Sequence, residues 1–139
     1  MKWLWAFVAG FVSTLVFHQG LFQLLHLAGV IPMAAWSMKP VGPLGLPSVV
    51  SLALWAGLWG VALWALIRNA AGASKWLWGF VWGALGPSLV ALFIVLPLKG
   101  MPLAGGFKPA FIVMVLLLNG VWGLGVVALM KLYKQDRAG

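Results

Sequence analysis

Four apolar stretches, each long enough to cross a bilayer as a helix, leave this chain little choice of fold. They run from about Trp3 to Leu27, Ser48 to Ile67, Trp76 to Leu96 and Ala110 to Leu132. A membrane's hydrocarbon core takes roughly 20 residues of helix to span. Backbone polar groups inside it must be bonded within the segment, which an α-helix achieves. Pro, Gly and Lys fill the gaps between the runs, where helix breakers belong. The expectation is an all-α polytopic membrane protein, a single membrane domain over residues 1–139 with four transmembrane helices.

Composition closes the soluble alternatives. Hydrophobic residues make up 64% of the chain and charged residues 7%, against about 25% charged in a soluble domain. Nine Lys and Arg face one acid, for a net charge of +8. The basic residues stand singly between apolar runs and form no patch. The excess therefore reads as a topology signal and contact with anionic headgroups, with no nucleic-acid partner. With no cysteine in the chain, disulfides, thiolate metal sites and Cys nucleophiles are excluded.

The first stretch is too long for a secretory signal peptide, carries His and Gln in its second half and ends without a small-x-small cleavage site. It is read as a retained helix. Lys2, Arg68, Lys75, Lys131, Lys134 and Arg137 fall on one side of a four-span arrangement, and Lys39, Lys99 and Lys108 on the other. That bias places both termini in the cytoplasm of a bacterial inner membrane. Trp3, Trp5, Trp76 and Trp78 then start spans at the cytoplasmic boundary, and Trp36 lies in the opposite loop, positions where indoles act as interfacial anchors. Trp55, Trp59, Trp64, Trp82 and Trp122 lie deeper and read as packing or lipid contacts.

The chain repeats itself. Lys2-Trp3-Leu4-Trp5-Ala6-Phe7-Val8-Ala9-Gly10 matches Lys75-Trp76-Leu77-Trp78-Gly79-Phe80-Val81-Trp82-Gly83. Pro40 and Pro47 have the same spacing as Pro102 and Pro109, and Gly-x-Trp-Gly follows in each half, at Gly57 to Gly60 and Gly120 to Gly123. The order is the same throughout. The expectation is two tandem helical hairpins, about residues 1–70 and 74–135, followed by a short basic tail at 133–139. Each has an even number of spans, so the two lie parallel, related by an axis along the membrane normal.

Small residues four apart let membrane helices approach closely. Ala6 with Gly10, Gly79 with Gly83, Ala53 with Gly57 and Ala56 with Gly60 form such pairs, so these positions, with Gly120 and Gly123, are candidate packing faces. Pro87 lies inside the third span, lacks an N–H and is expected to kink it near Leu85. The Pro- and Gly-rich loops Ile31 to Pro47 and Pro97 to Pro109 are apolar, with Met33, Trp36, Met38, Leu44, Met101 and Phe107. They are expected to pack as lids on the helix ends.

One feature asks for a functional explanation. At roughly 100° per residue, Thr14, His18, Gln19, Gln23 and His26 share about half of the first helix's circumference. Polar groups in hydrocarbon are costly and turn inward or toward a partner. In the repeat register, Ala91, Leu92 and Leu96 replace His18, Gln19 and Gln23, so the stripe belongs to one half only. Three readings follow. The stripe can tie helices together through hydrogen bonds. It can form a ligand or cofactor site, with His18 ligating a haem or chlorophyll-type pigment. Or several protomers can line a polar path with it. A zinc site lacks ligands, since no Cys or Glu is present. Asn119, in the fourth span, is the other deep polar group, placed to cap the stripe or bond a neighbouring carbonyl. Ser51 and Ser88 are expected to bond their own preceding turns.

No acid lies in any span, which counts against a cation-coupled transporter. Phosphate loops, Ser-His-Asp sets and metal clusters are also missing. Phe17-His18-Gln19-Gly20-Leu21, Lys99-Gly100-Met101-Pro102 and the two Trp-x-Trp starts resemble a family of small bacterial four-span inner-membrane proteins with no assigned function. That resemblance covers nearly the whole chain and implies the topology, not an activity. The tryptophan content is similar to that of tryptophan-rich sensory proteins, which bind porphyrins, but those have five spans and none of their motifs occurs in this chain. The expected role is a non-enzymatic accessory or binding protein. It would use the stripe to self-associate as a homo-oligomer or to pack on a larger membrane complex, with a lipid or porphyrin-type molecule as possible ligand. The alternative is a homo-oligomeric channel for a small neutral or anionic solute.

Overall fold

The computed structural model describes residues 2–42 and 44–138, with side chains through Leu132. The side chains of Lys134, Asp136 and Arg137 lie outside that range. Four helices long and apolar enough to cross a membrane form the molecule: α1 (Lys2–Leu27), α2 (Ser48–Ile67), α3 (Ala73–Leu98) and α4 (Pro109–Ala138, its apolar span ending at Leu132). One element departs from the helix-only expectation. Strands β1 (Pro40–Val41) and β2 (Leu46–Pro47) pair antiparallel, Val41 opposite Leu46. Gly42 and Gly45, both at φ 67°, supply the left-handed backbone that this turn needs.

The loop that carries these strands also starts α2. Pro47 precedes the helix without a capping side chain, so its first N–H groups need other acceptors. The Ser48 N–H donates to the Lys39 carbonyl at 2.8 Å, and the Val49 N–H to that of Ser37 at 2.9 Å.

Helix α1 packs on α2, and α3 on α4. Both hairpins close where glycine meets glycine. A Cβ placed on Gly60 would lie 2.6 Å from the Ala6 carbonyl oxygen and 2.9 Å from Gly10 Cα, and one on Gly83 would lie 2.8 Å from Gly123 Cα. Gly57 faces the Phe7 ring and Gly120 the Phe80 ring, each so closely that a Cβ would stand 2.6 Å from ring carbons. These are close approaches in which any side chain would force the helices apart.

Between hairpins, α1 packs on α4, whereas α2 and α3 meet far more sparsely. The buried core lies where α1 meets α4 and near the chain termini, with Ala6, Ala9, Leu63, Ile67, Trp122, Val126, Val127 and Met130. Outward residues such as Leu4, Trp55, Leu66, Leu77 and Val113 are large, apolar and exposed. An apolar surface this extensive is unsuited to water.

Two helices depart from α geometry in mid-course. In α1, Thr14–His18 form a π turn, and in α3, Ala91–Val95 do. Pro87 sits within the regular part of α3, Ala73–Val90, and the π turn begins one turn beyond it. Basic residues and tryptophans pair at the end of the bundle near the termini. The Arg68 guanidinium lies 5.4 Å from the Trp3 ring centroid, Lys131 5.3 Å from Trp76, and Lys75 4.9 Å from Trp64, within cation–π range.

Candidate functional site

The stripe on α1 meets the chain's own loop. The Gln19 carboxamide oxygen accepts the Trp36 backbone N–H at 2.8 Å, and that of Gln23 accepts the Ala35 N–H at 2.9 Å. His26 Nδ1 bonds the Ile31 carbonyl at 2.9 Å. Three stripe residues thus satisfy the backbone of one short segment, which would otherwise bring unpaired polar groups against apolar helix ends. Thr14 is buried within the π turn. The sequence places these residues on one face, and the structure brings Gln19, Gln23 and His26 together on a loop, where neighbouring helices are the partners that periodicity suggests.

The π turn has a local purpose. In an α-helix the Gln19 N–H would bond the Leu15 carbonyl. In α1 it reaches Thr14 and Val16, and the Leu15 carbonyl takes the Trp36 indole N–H at 2.8 Å. Trp36 is therefore held at both its backbone and its ring. Its φ of 55° is rare for a bulky residue and costs on the order of 1–3 kcal/mol, which the paired hydrogen bonds offset.

These contacts fix the two imidazole tautomers. A backbone N–H only donates, so the Gln19 oxygen is the acceptor for Trp36 and its nitrogen is the donor to His18 Nδ1, 3.0 Å away. His18 consequently carries its proton on Nε2. Axial ligation of a porphyrin metal through Nε2 wants the opposite arrangement, with Nδ1–H donating and Nε2 bare. At His26 the carbonyl of Ile31 only accepts, so Nδ1 carries the proton and Nε2 presents a lone pair. Of the two, His26 is the one whose Nε2 is free of the proton that a ligated metal would have to displace. No group of three or more metal-ligating side chains occurs among the described residues.

Asn119 stands apart from the stripe. Its Nδ2 donates to Ser88 Oγ at 2.9 Å, and Ser88 in turn donates to the Val115 carbonyl at 3.5 Å. Ser88 therefore bonds across to α4 and not to its own preceding turn, a correction to the sequence expectation. It is fully buried against α4, where a neighbouring carbonyl and carboxamide are in reach.

The two seams between hairpins are unalike. On the α1–α4 side, the Trp5 indole donates to the Leu129 carbonyl at 2.9 Å, the Trp122 indole to Gly10 at 3.0 Å, and the Ser13 hydroxyl to Trp122 at 2.7 Å. The sequence match puts Trp78 where Trp5 stands, and Leu66, Trp59, Gly83 and Gly86 where Leu129, Trp122, Gly10 and Ser13 stand. On that α2–α3 side none of the corresponding hydrogen bonds forms among the described residues. A cleft of about 260 Å³ opens instead, lined by Leu66, Ile67, Ala70, Trp78 and Trp82. It continues past Trp82 and Leu66 into a narrower groove between Trp59, Gly86, Pro87 and Trp122.

Sequence reasoning misses this seam, because the tryptophans that line it read as packing residues. The usable signal is chemical: an indole N–H seeks an acceptor, and Gly86 offers no hydroxyl where Ser13 has one. No family model, curated protein or solved structure matches the chain, so the chemistry of the site is read from its own residues.

Proposed function

We propose that the chain is a non-enzymatic integral protein of a bacterial inner membrane, with both termini cytoplasmic, built as a duplicated two-helix hairpin. It acts as an accessory or binding protein that takes an apolar ligand sideways from the bilayer, at the α2–α3 seam. The duplication is supported by the matching Gly10–Gly60 and Gly83–Gly123 approaches and by the matching Arg68–Trp3 and Lys131–Trp76 pairs. The observation that carries the binding role is the contrast between seams: one is held by three hydrogen bonds, and the other has none of their counterparts and opens a cleft beside Leu66 and Trp78.

The α1 stripe serves the fold, as the anchor of the loop at the opposite end of the bundle from this cleft, since its carboxamides are engaged by Ala35 and Trp36. That arrangement lends nothing to a solute path along the stripe, nor to a porphyrin on His18. The chain lacks cysteine, so single cysteines report topology cleanly. Ala34→Cys should label with an impermeant maleimide from outside spheroplasts, and Ala71→Cys only after lysis. The reverse pattern, or release of the protein by alkaline carbonate, would overturn the reading.

A further inference from the structure

The open seam has the dimensions and the charge of a lipid site. Along α3, Trp78 to Pro87 rises about 14 Å at ~1.5 Å per residue. Half of a hydrocarbon core is about 15 Å, so the groove runs the depth of one leaflet. Its walls are indole and aliphatic. The indole N–H groups of Trp59 and Trp78 make no hydrogen bond among the described residues, whereas those of Trp122 and Trp5 donate across the closed seam. The mouth lies at the basic end of the bundle. Arg68 follows directly on Ile67 of the cleft, exposed and stacked on Trp3 from one side. A guanidinium carries five donors suited to phosphate oxygens.

We propose that this seam seats one anionic phospholipid from the cytoplasmic leaflet. Its acyl chain lies in the cleft along Leu66, Ile67 and Trp82, an ester oxygen accepts from the Trp78 indole, and its phosphate rests on Arg68. A neutral apolar molecule would leave the guanidinium and the indole donors unused. A partner's transmembrane helix, roughly 10 Å across with its side chains, is too bulky for a cleft of about 260 Å³. The inference rests on the membrane reading of the chain and specifies the ligand class.

Native mass spectrometry of the full chain in mild detergent, titrated with phosphatidylglycerol or phosphatidylcholine, tests it. One phosphatidylglycerol per chain should be retained, preferred about fivefold or more over phosphatidylcholine, the effect of one basic residue on an anionic lipid. Arg68→Gln should abolish the preference, Arg68→Lys should keep most of it, and Ala70→Phe should block retention while leaving the helical circular dichroism intact. Equal retention of both lipids, or a preference indifferent to Arg68→Gln and Ala70→Phe, overturns the proposal, as does a co-purifying protein in place of lipid. A chain that stays monomeric without detergent would defeat the membrane reading itself, an outcome distinct from a detergent-dependent chain without lipid preference.

Discussion

Gln19 and Trp36 hold one another at 2.8 Å, side-chain oxygen to backbone N–H, across the boundary between a helix and its loop. A carboxamide that faces apolar surroundings and a backbone donor that lacks a sheet or helix partner solve each other's problem. The same Gln19 donates to His18 at 3.0 Å, so one side chain sets both the loop's path and the imidazole's tautomer.

Replacing Gln19 by Leu should therefore free the loop. It leaves the Trp36 N–H unsatisfied, a loss of about 1–3 kcal/mol, and Gln23→Leu does the same for Ala35. The cysteine of Ala34→Cys should react several-fold faster with maleimide in either background, and faster still with both. Unchanged reactivity in the double variant would mean the loop is held by other contacts.

The tautomer assignment is open to direct measurement. The chain has two histidines, so selective ¹⁵N labelling gives a readable spectrum. In the neutral imidazoles His18 should show a protonated Nε2 and an unprotonated Nδ1, and His26 the reverse. In Gln19→Leu the His18 preference should weaken while His26 stays as it is. Two like tautomers would refute the hydrogen-bond directions at Gln19 and Ile31.

Much of the fold is legible because helices long and apolar enough to cross a membrane are set by length and hydropathy alone. The four spans emerge within a few residues, and the small residues at Gly10, Gly60, Gly83 and Gly123 are where the helices meet. The stripe is legible as a face but not in its partners. Periodicity ranks residues along one helix and is blind to a loop that folds back on it. The β1–β2 pair, the left-handed Trp36 and the π turn at Thr14–His18 belong to that fold-back. The unequal seams escape for a related reason. Matching sequence segments invite the assumption of symmetry, and the difference rests on the few residues, such as Ser13 against Gly86, where the segments differ.

Glycines should separate into two kinds. Gly60→Ala puts a methyl into the α1 backbone, 2.6 Å from the Ala6 oxygen, and should cost about 1–3 kcal/mol as the hairpin spreads. Gly20 is helical and has nothing within 4 Å of its would-be Cβ. Gly20→Ala should stabilise by roughly 0.5–1 kcal/mol through backbone entropy. Thermal unfolding in one detergent, followed by circular dichroism, gives both shifts. A common sign would refute the contact geometry.

Trp122 and Trp59 offer the sharpest comparison, because they occupy matching places in seams that differ. Trp122 is 2% exposed, and its indole N–H bonds Gly10 at 3.0 Å. Trp122→Phe removes that bond and leaves a void in the core, so stability should fall by about 2 kcal/mol, the hydrogen bond accounting for roughly 1 of it. The Trp59 ring packs on Gly86 across its seam but its indole N–H makes no hydrogen bond among the described residues, so Trp59→Phe should cost less, about 1 kcal/mol of packing alone. Phe in both places keeps an aromatic ring, so the difference isolates the donor and its fit. The comparison is read from unfolding midpoints in lipid-free detergent. If the two variants lose stability equally, α2 and α3 are zipped as α1 and α4 are, and the seam is closed.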